Sequence, residues 1–219
     1  MQLYRTKKEM IYQTIKEEIL NGKYEFGEKL VISRIAERFG SSEIPVREAI
    51  RQLESDKLIE FIPHTGAVVS TISAKDIKEI FQLRSVLEGL ATKLAVQALT
   101  DEHLERLRQN ILESKEAFEI KDYERYAKLN IDFHYLIYSE CNNDLLLRTI
   151  QDLWSNTKRY PSLFRENDQH IELSIQEHEE IYNALLLRDS DLAESHMKKH
   201  KIRAGEEILR SHNNTSINI

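Results

Sequence analysis

The sequence is poor in the residues that cross-link chains and break helices. Its 219 residues include one cysteine, three prolines and six glycines. A lone cysteine, Cys141, excludes an internal disulfide and is typical of proteins in a reducing compartment. The scarcity of proline and glycine favours long helices over a fold rich in turns. We therefore expect a mainly α-helical protein that resides in the cytoplasm.

Long apolar segments are also missing. No run approaches the roughly 20 residues that a helix needs to cross a bilayer. The first ten residues are charged rather than apolar, unlike a secretory signal. The sequence therefore predicts no membrane partner.

Positive charge is not in excess, and the net charge is −6. Residues 1–72 carry 11 basic and 11 acidic side chains, so the acidity belongs to the remainder of the chain. Phosphate contacts are local, and a neutral domain binds DNA if its cations cluster on one face. The charge balance therefore neither favours nor excludes a nucleic-acid partner.

Residues 1–72 begin with three helical patterns. Isoleucines four residues apart predict a first helix that ends near Leu20. Ser33 resembles an N-cap, and the pair Ser41–Ser42 resembles another. The two short helices that they predict meet around Gly40, which is the helix-turn-helix pattern.

A hairpin pattern follows these helices. Apolar residues predict strands over 58–62 and 67–69, and the sequence Pro-His-Thr-Gly between them predicts a turn. A hairpin in this position is the wing of a winged helix-turn-helix. We therefore predict a DNA-binding domain over residues 1–72.

From Ser73 onward the periodicity is only helical. We predict an all-helical bundle that binds ligand and dimerises over residues 73–212, and a tail over 213–219. The Pro161 region is one of its predicted breaks. The predicted helices are 73–97, 101–120, 122–139, 143–159, 169–188 and 190–210.

The stretch GSSEIPVREAIRQLESDKL, residues 40–58, resembles the recognition helix of the GntR family of transcription regulators. The segments GEKL (27–30) and GAVV (66–69) fall where that family places them. A recognition helix enters the major groove by its N-terminal end, where backbone N–H groups favour phosphate. The predicted DNA contacts lie there, on the preceding helix and at the wing tip: Arg34, Ser41, Ser42, Glu43, Arg47, Arg51, His64, Thr65 and Gly66.

Two positions depart from the pattern of that family. Glu43 stands where the family commonly has an arginine at the start of the recognition helix. Ser33 stands where the family commonly has an arginine near the start of the preceding helix, and Arg34 follows one position later. Glutamate repels phosphate but accepts a hydrogen bond from the amino group of cytosine. We therefore expect this chain to bind a base sequence that is unusual for the family.

The remainder of the chain resembles the helical FCD effector domain of the FadR-type branch of the GntR family. Four segments carry the resemblance in order: LRSVLE (83–88), NIDFHYLI (130–137), EHEEI (177–181) and AESHMKKH (193–200). The resemblance implies a transcription regulator, most simply a metabolite-responsive repressor, whose effector is an organic acid.

A metal site is implied by the same resemblance. Metal-binding members use one Asp and three His, and the matching residues here are Asn130, His134, His178 and His200. Three imidazoles and one oxygen suit Zn, Ni, Co or Mn. His196, one turn before His200, is an alternative ligand, whereas Asp132 should project away from His134.

Arg84 and Glu88 are the candidate effector-binding residues. They lie one helical turn apart, and two interpretations stay open: a surface ion pair, or an inward arginine that binds an effector carboxylate. The resemblance favours the second. We expect the aromatic residues of this domain to serve in packing: Tyr123, Tyr126, Tyr135, Tyr138, Trp154 and Phe164.

Two other classes of protein stay open. A metal-dependent helical-bundle enzyme is one, but the helix around His178 lacks the second histidine of a zinc protease, and no nucleophile or phosphate-binding loop is evident. A protein-binding adaptor with a structural winged helix is the other. We therefore predict that the protein is not an enzyme. We also predict a homodimer, since helix-turn-helix proteins usually bind two half-sites of double-stranded operator DNA.

Overall fold

The computed structural model describes residues 6–20, 22–70, 73–157 and 167–216, without the side chains of 155–157 and 211–216. The predicted break at Pro161 and the side chain of Phe164 lie outside the described residues. The described residues belong to two compact units that divide between residues 72 and 73.

Among its described residues, the first unit contains three helices and a hairpin. Its elements are α1 (Lys7–Leu20), α2 (Ile32–Arg38), α3 (Glu43–Ser55), β1 (Ile59–Ile62) and β2 (Gly66–Val69). The apolar faces of α1 and α3 pack together around Ile15 and Ile50, both fully buried. Asp56, just after α3, accepts hydrogen bonds from Tyr12 and Lys16 of α1. These contacts hold α3, the predicted recognition helix, against α1.

The hairpin is antiparallel, with Ile59 opposite Val69 and Ile62 opposite Gly66. Lys29 pairs with Val68, so the segment before α2 extends the sheet. The unit is thus a winged helix-turn-helix, and this part of the predicted fold class is confirmed.

One predicted cap is wrong. Helix α2 begins at Ile32, with Val31 at the N-cap, so Ser33 lies inside the helix. Val31 is still extended when the chain leaves its pairing with the hairpin. Helical geometry therefore starts at the next residue, and no serine side chain is needed to cap it.

The second unit is all-helical among its described residues, as predicted. Four of its helices begin after a residue whose side chain accepts a hydrogen bond from the backbone N–H three residues later. These N-caps are Ser73, Thr100, Asp122 and Asn167. The helices are α4 (Ala74–Ala95), α5 (Asp101–Glu119), α6 (Tyr123–Tyr138), α7 (Asp144–Thr157), α8 (Asp168–Leu186) and α9 (Ser190–Ser216).

Helix α9 is central to this unit, because it packs against both α4 and α8. It extends through residues 213–216, which the sequence assigns to a tail. No glycine or proline follows Gly205 to stop the helix. Among the described helices none is both long enough and apolar enough to span a membrane.

Candidate metal centre and DNA-binding face

Three histidines from three helices of the second unit meet in its core. His134 lies on α6, His178 on α8 and His200 on α9, and each is at most 3% exposed. One ring nitrogen from each lies within 4.8 Å of the other two. In the part of the chain that the structure describes, no other group of three or more His, Cys, Asp or Glu side chains meets this condition.

Neighbouring groups fix how two of these rings are protonated. His200 Nδ1 lies 2.6 Å from Glu177 Oε2, and Arg203 binds the same carboxylate through two nitrogens. The carboxylate only accepts, so His200 Nδ1 carries the proton and Nε2 carries the lone pair. A carboxylate in this position is the usual second partner of a metal-binding histidine.

His134 is oriented in the same way. Its Nδ1 lies 3.4 Å from the hydroxyl of Tyr138, which donates its own proton to Glu88 at 2.7 Å. The hydroxyl oxygen therefore accepts from His134 Nδ1, and the lone pair of His134 lies on Nε2. The Nε2 atoms of His134 and His200 then face each other at 3.2 Å.

This separation fits a shared metal ion. Two nitrogens bound tetrahedrally to one zinc at about 2.0–2.1 Å lie roughly 3.3 Å apart. His178 completes the set, because both of its nitrogens are buried without a hydrogen-bond partner while its ring stacks on Phe133. Buried polar atoms of this kind normally have a partner. The donors present therefore fit a divalent ion.

Burial makes these imidazoles neutral, which is the form that binds metal. It is the main cause that holds the pKa of His134 and of His200 well below the usual range, followed by the charge of Lys201. The pKa of His178 is likewise well below its usual range, through burial and then through His200.

The other sequence candidates for metal ligation lie elsewhere or at the edge of the cluster. Asn130 is half-buried on α6, one turn before His134. Asp132 lines an open groove between α5 and α6. His196 Nδ1 lies 3.1 Å from the Glu180 carboxylate, and its side chain is not part of the cluster.

Glu88 lies beside the histidines and is fully buried. It accepts from Arg84 Nε at 2.5 Å, from Trp154 Nε1 at 3.1 Å and from the Tyr138 hydroxyl, and Lys201 Nζ lies 3.1 Å away. Arg84 is only 8% exposed, so the interpretation of Arg84 and Glu88 as a surface ion pair is wrong. Helix α4 packs against α9, and this turns both side chains inward.

The charges of this cluster depend on one another. Burial raises the pKa of Glu88, but the charges of Arg84 and Lys201 outweigh it, and its pKa falls to about 2. Burial lowers the pKa of Lys201 to about 8, although Glu88 opposes this. Near neutral pH the cluster therefore holds two cations and one carboxylate.

Three contributors to this site were not predicted from the sequence. The sequence predicts packing roles for Tyr138 and Trp154, and both side chains also donate to Glu88. No motif in the sequence points to Lys201, although it follows His200 directly. For Tyr138 the sequence does hold a signal, since it lies one turn after His134 on the same helix face.

Most of the predicted DNA contacts in the first unit are exposed. Ser42 is the N-cap of α3, and its side chain makes no capping bond. Glu43 and Arg47 pair across one turn at 2.8 Å, with both side chains largely exposed. Arg51 lies one further turn along the helix and is exposed as well. The exposed end of α3 thus carries a carboxylate that is already bound to the nearest arginine.

The remaining predicted contacts lie outside α3. Arg34 is exposed on α2, and Ser41 is half-buried in the turn between the helices. His64 and Thr65 are exposed at the tip of the hairpin, and Gly66 is half-buried beside them. Ile44 is not among the predicted contacts, yet it is 71% exposed next to Glu43.

Comparison with known protein families gives two matches. The family described as bacterial regulatory proteins, gntR family, matches residues 7–69, and the FCD domain matches residues 79–203. Both matches confirm the resemblance predicted from the sequence.

Similar proteins include the HTH-type transcriptional regulator YdhC of Bacillus subtilis, 29% identical over 86% of this chain and 85% of the relative. The probable D-xylose utilization operon transcriptional repressor of Paenarthrobacter nicotinovorans is 31% identical over 84% and 80%. The solved structure of E. coli McbR/YncC has a TM-score of 0.71 at 23% identity, over 95% of this chain and 100% of that one, which shows a common fold. The named relatives are transcription regulators, not enzymes.

Proposed function

The chain belongs to the gntR family of bacterial regulatory proteins and carries an FCD domain, and we propose from this that it is a metabolite-responsive repressor. It binds double-stranded operator DNA as a homodimer in the cytoplasm. Its FCD domain binds a divalent metal ion and an organic acid, and these ligands change the affinity for the operator. The cluster of His134, His178 and His200 is the observation that carries the sensing half of this proposal.

The DNA-binding half depends on the exposed end of α3. Arg47 is the first cation along the recognition helix, and the other predicted contacts are exposed or half-buried: Arg34, Ser41, Ser42, Arg51 and the hairpin tip. We propose that these groups contact phosphates and base edges, with Arg47 as the main contact. Glu43 pairs with Arg47 in the absence of DNA, so binding separates the pair or uses both side chains on one base pair.

Fluorescence anisotropy with DNA from upstream of the chain's own gene tests this half. Arg47→Ala should weaken binding by about 1–3 kcal/mol, as for loss of a bidentate base contact. Arg108→Ala removes an equally exposed arginine of the FCD domain and is the control. Equal affinities of the two variants, or no binding by the wild type at low salt, would contradict the proposed DNA contact.

The metal would be held by His134 and His200 through Nε2 and by His178, with Asn130 as a proposed further ligand. A bound divalent ion supplies positive charge that joins three helices and attracts an anionic effector. Zn, Ni, Co and Mn all suit imidazole ligands. The resident side chains keep the rings neutral and oriented, as the Glu177–His200 contact illustrates.

Isothermal titration of the chelator-treated protein with each metal, with His178→Leu and His196→Gln as variants, tests this site. His178→Leu replaces an unpartnered imidazole by an apolar side chain and should abolish binding. His196→Gln should leave binding unchanged, because His196 pairs with Glu180 instead. The reverse result would make His196 the ligand.

The proposed effector site adjoins the same cluster. Arg84 and Glu88 are buried next to His134, and the two cations there exceed the single carboxylate. An effector carboxylate would offset this excess. Among small mono-, di- and tricarboxylates, at least one should raise the melting temperature of the metal-loaded protein, and Arg84→Met should remove that shift. A shift that survives in Arg84→Met places the effector elsewhere.

The homodimer is supported by an apolar stripe along α4. Leu83, Val86, Leu90 and Leu94 lie on one helical face and are 38–56% exposed. A second copy of the chain would cover this stripe and present two recognition helices to two half-sites. Sedimentation of Leu83→Asp should yield monomers, and a monomeric wild type would contradict the dimer.

A further inference from the structure

Lys201 occupies an unusual position for a lysine. It is 3% exposed, and its Nζ lies 2.9 Å from His134 Nε2 and 3.1 Å from Glu88 Oε2. A buried ammonium group needs hydrogen-bond acceptors, and His134 Nε2 and Glu88 Oε2 are acceptors within hydrogen-bond distance of it. Lys201 therefore belongs to the histidine cluster as well as to the Glu88 cluster.

The lone pair that Lys201 contacts is the one that a metal ion needs. His134 Nδ1 faces Tyr138, so Nε2 is the only nitrogen of this ring that points toward His200. An ammonium group that donates to Nε2 blocks that lone pair, and its charge repels a divalent cation. The neutral Asn130, in place of a carboxylate, adds no negative charge to offset this repulsion.

We propose that Lys201 is a cation that belongs to the histidine cluster. Its ammonium group competes with the metal ion for His134 Nε2 and thereby sets the affinity of the cluster for metal. The inference concerns the metal site of the proposed function and depends on it. When metal binds, the Lys201 ammonium gives up His134 Nε2 and keeps Glu88, which remains its partner. Metal occupancy is thereby linked to the Arg84–Glu88 pair, because the same carboxylate serves both cations.

Isothermal titration with zinc and with cobalt tests the competition directly. In Lys201→Met the competing charge is gone, and both metals should bind at least about tenfold more tightly than in the wild type, since a single and a double positive charge close together repel strongly inside a protein. Lys201→Arg keeps the charge and should stay as weak as the wild type. Lys199→Met, two residues away and exposed, is the matched control and should not change the affinity.

The outcomes separate this inference from the metal site itself. Equal metal affinities of the wild type and Lys201→Met would overturn the inference and leave the metal site standing. Binding by Lys201→Met alone would support the inference and refute metal binding by the native chain. Binding by neither would refute both. If circular dichroism shows Lys201→Met to be unfolded, Lys201→Gln replaces it with the same expectations.

Discussion

Glu88→Gln is the substitution for which the structure allows the most definite forecast of stability. Glutamine has nearly the same shape but no charge, so Arg84 and Lys201 would both lose the buried carboxylate that pairs with them. Removal of one partner from a buried ion pair typically costs about 3–5 kcal/mol. Against a total of about 5–15 kcal/mol for a whole protein, this loss is large.

Urea unfolding of the chelator-treated protein at pH 7 measures the loss. Glu105→Gln is the control, because it removes an equally charged partner from the exposed pair with Arg108 and should leave the unfolding midpoint unchanged. The penalty of Glu88→Gln should also shrink as pH rises from 6 to 8, because Glu88 raises the pKa of Lys201 and its loss lets Lys201 give up its proton at a lower pH, which reduces the buried positive charge. A penalty below about 1 kcal/mol would refute the view of Glu88 as the charge partner of this core.

Three further changes test other parts of the structure. Gly205→Ala would place a Cβ 2.6 Å from Phe81 Cβ and should lower the free energy of unfolding in urea by about 1–3 kcal/mol. The Cβ of Gly89→Ala meets a flexible lysine side chain instead, so its cost should be smaller. Burial lowers the pKa of His170 to about 4. As pH drops from 6.5 toward 4, this histidine is protonated in the unfolded chain but not in the folded one, so the free energy of unfolding falls. His170→Asn should reduce the dependence of that free energy on pH by about 1.4 kcal/mol per pH unit. Glu43→Gln removes a negative charge near the proposed phosphate contacts, and DNA of any sequence should bind more tightly in anisotropy titrations; unchanged affinity would place Glu43 away from the backbone.

The order and type of the elements could be predicted because their signals are local. Ser73 caps α4 as its sequence position suggests, and the turn at Gly40 separates two helices in the predicted manner. The cap at Ser33 failed because the start of α2 is set by the pairing of Lys29 with Val68, a contact between residues far apart in sequence. Local patterns do not encode such pairing.

The histidine cluster could be proposed from the sequence only through the resemblance to the FCD domain, and its charged surroundings could not be proposed at all. Neighbouring residues of a helix point about 100° apart, so a buried His200 argues against a buried Lys201. Both are buried because α9 packs against α4 on one side and α8 on the other. The inward direction of Glu88 has the same origin, since it depends on which face of α4 meets α9.

In the proposed function, metal bound by the three histidines changes the affinity for operator DNA. The most direct measurement is the dissociation constant for DNA from upstream of the chain's own gene, in chelator and in saturating zinc, for the wild type and His178→Leu. We predict a change of at least about fivefold in the wild type, the lower end of typical coupling between sites, and no change in His178→Leu. An equal response of both proteins, or zinc-independent binding by the wild type, would contradict the account.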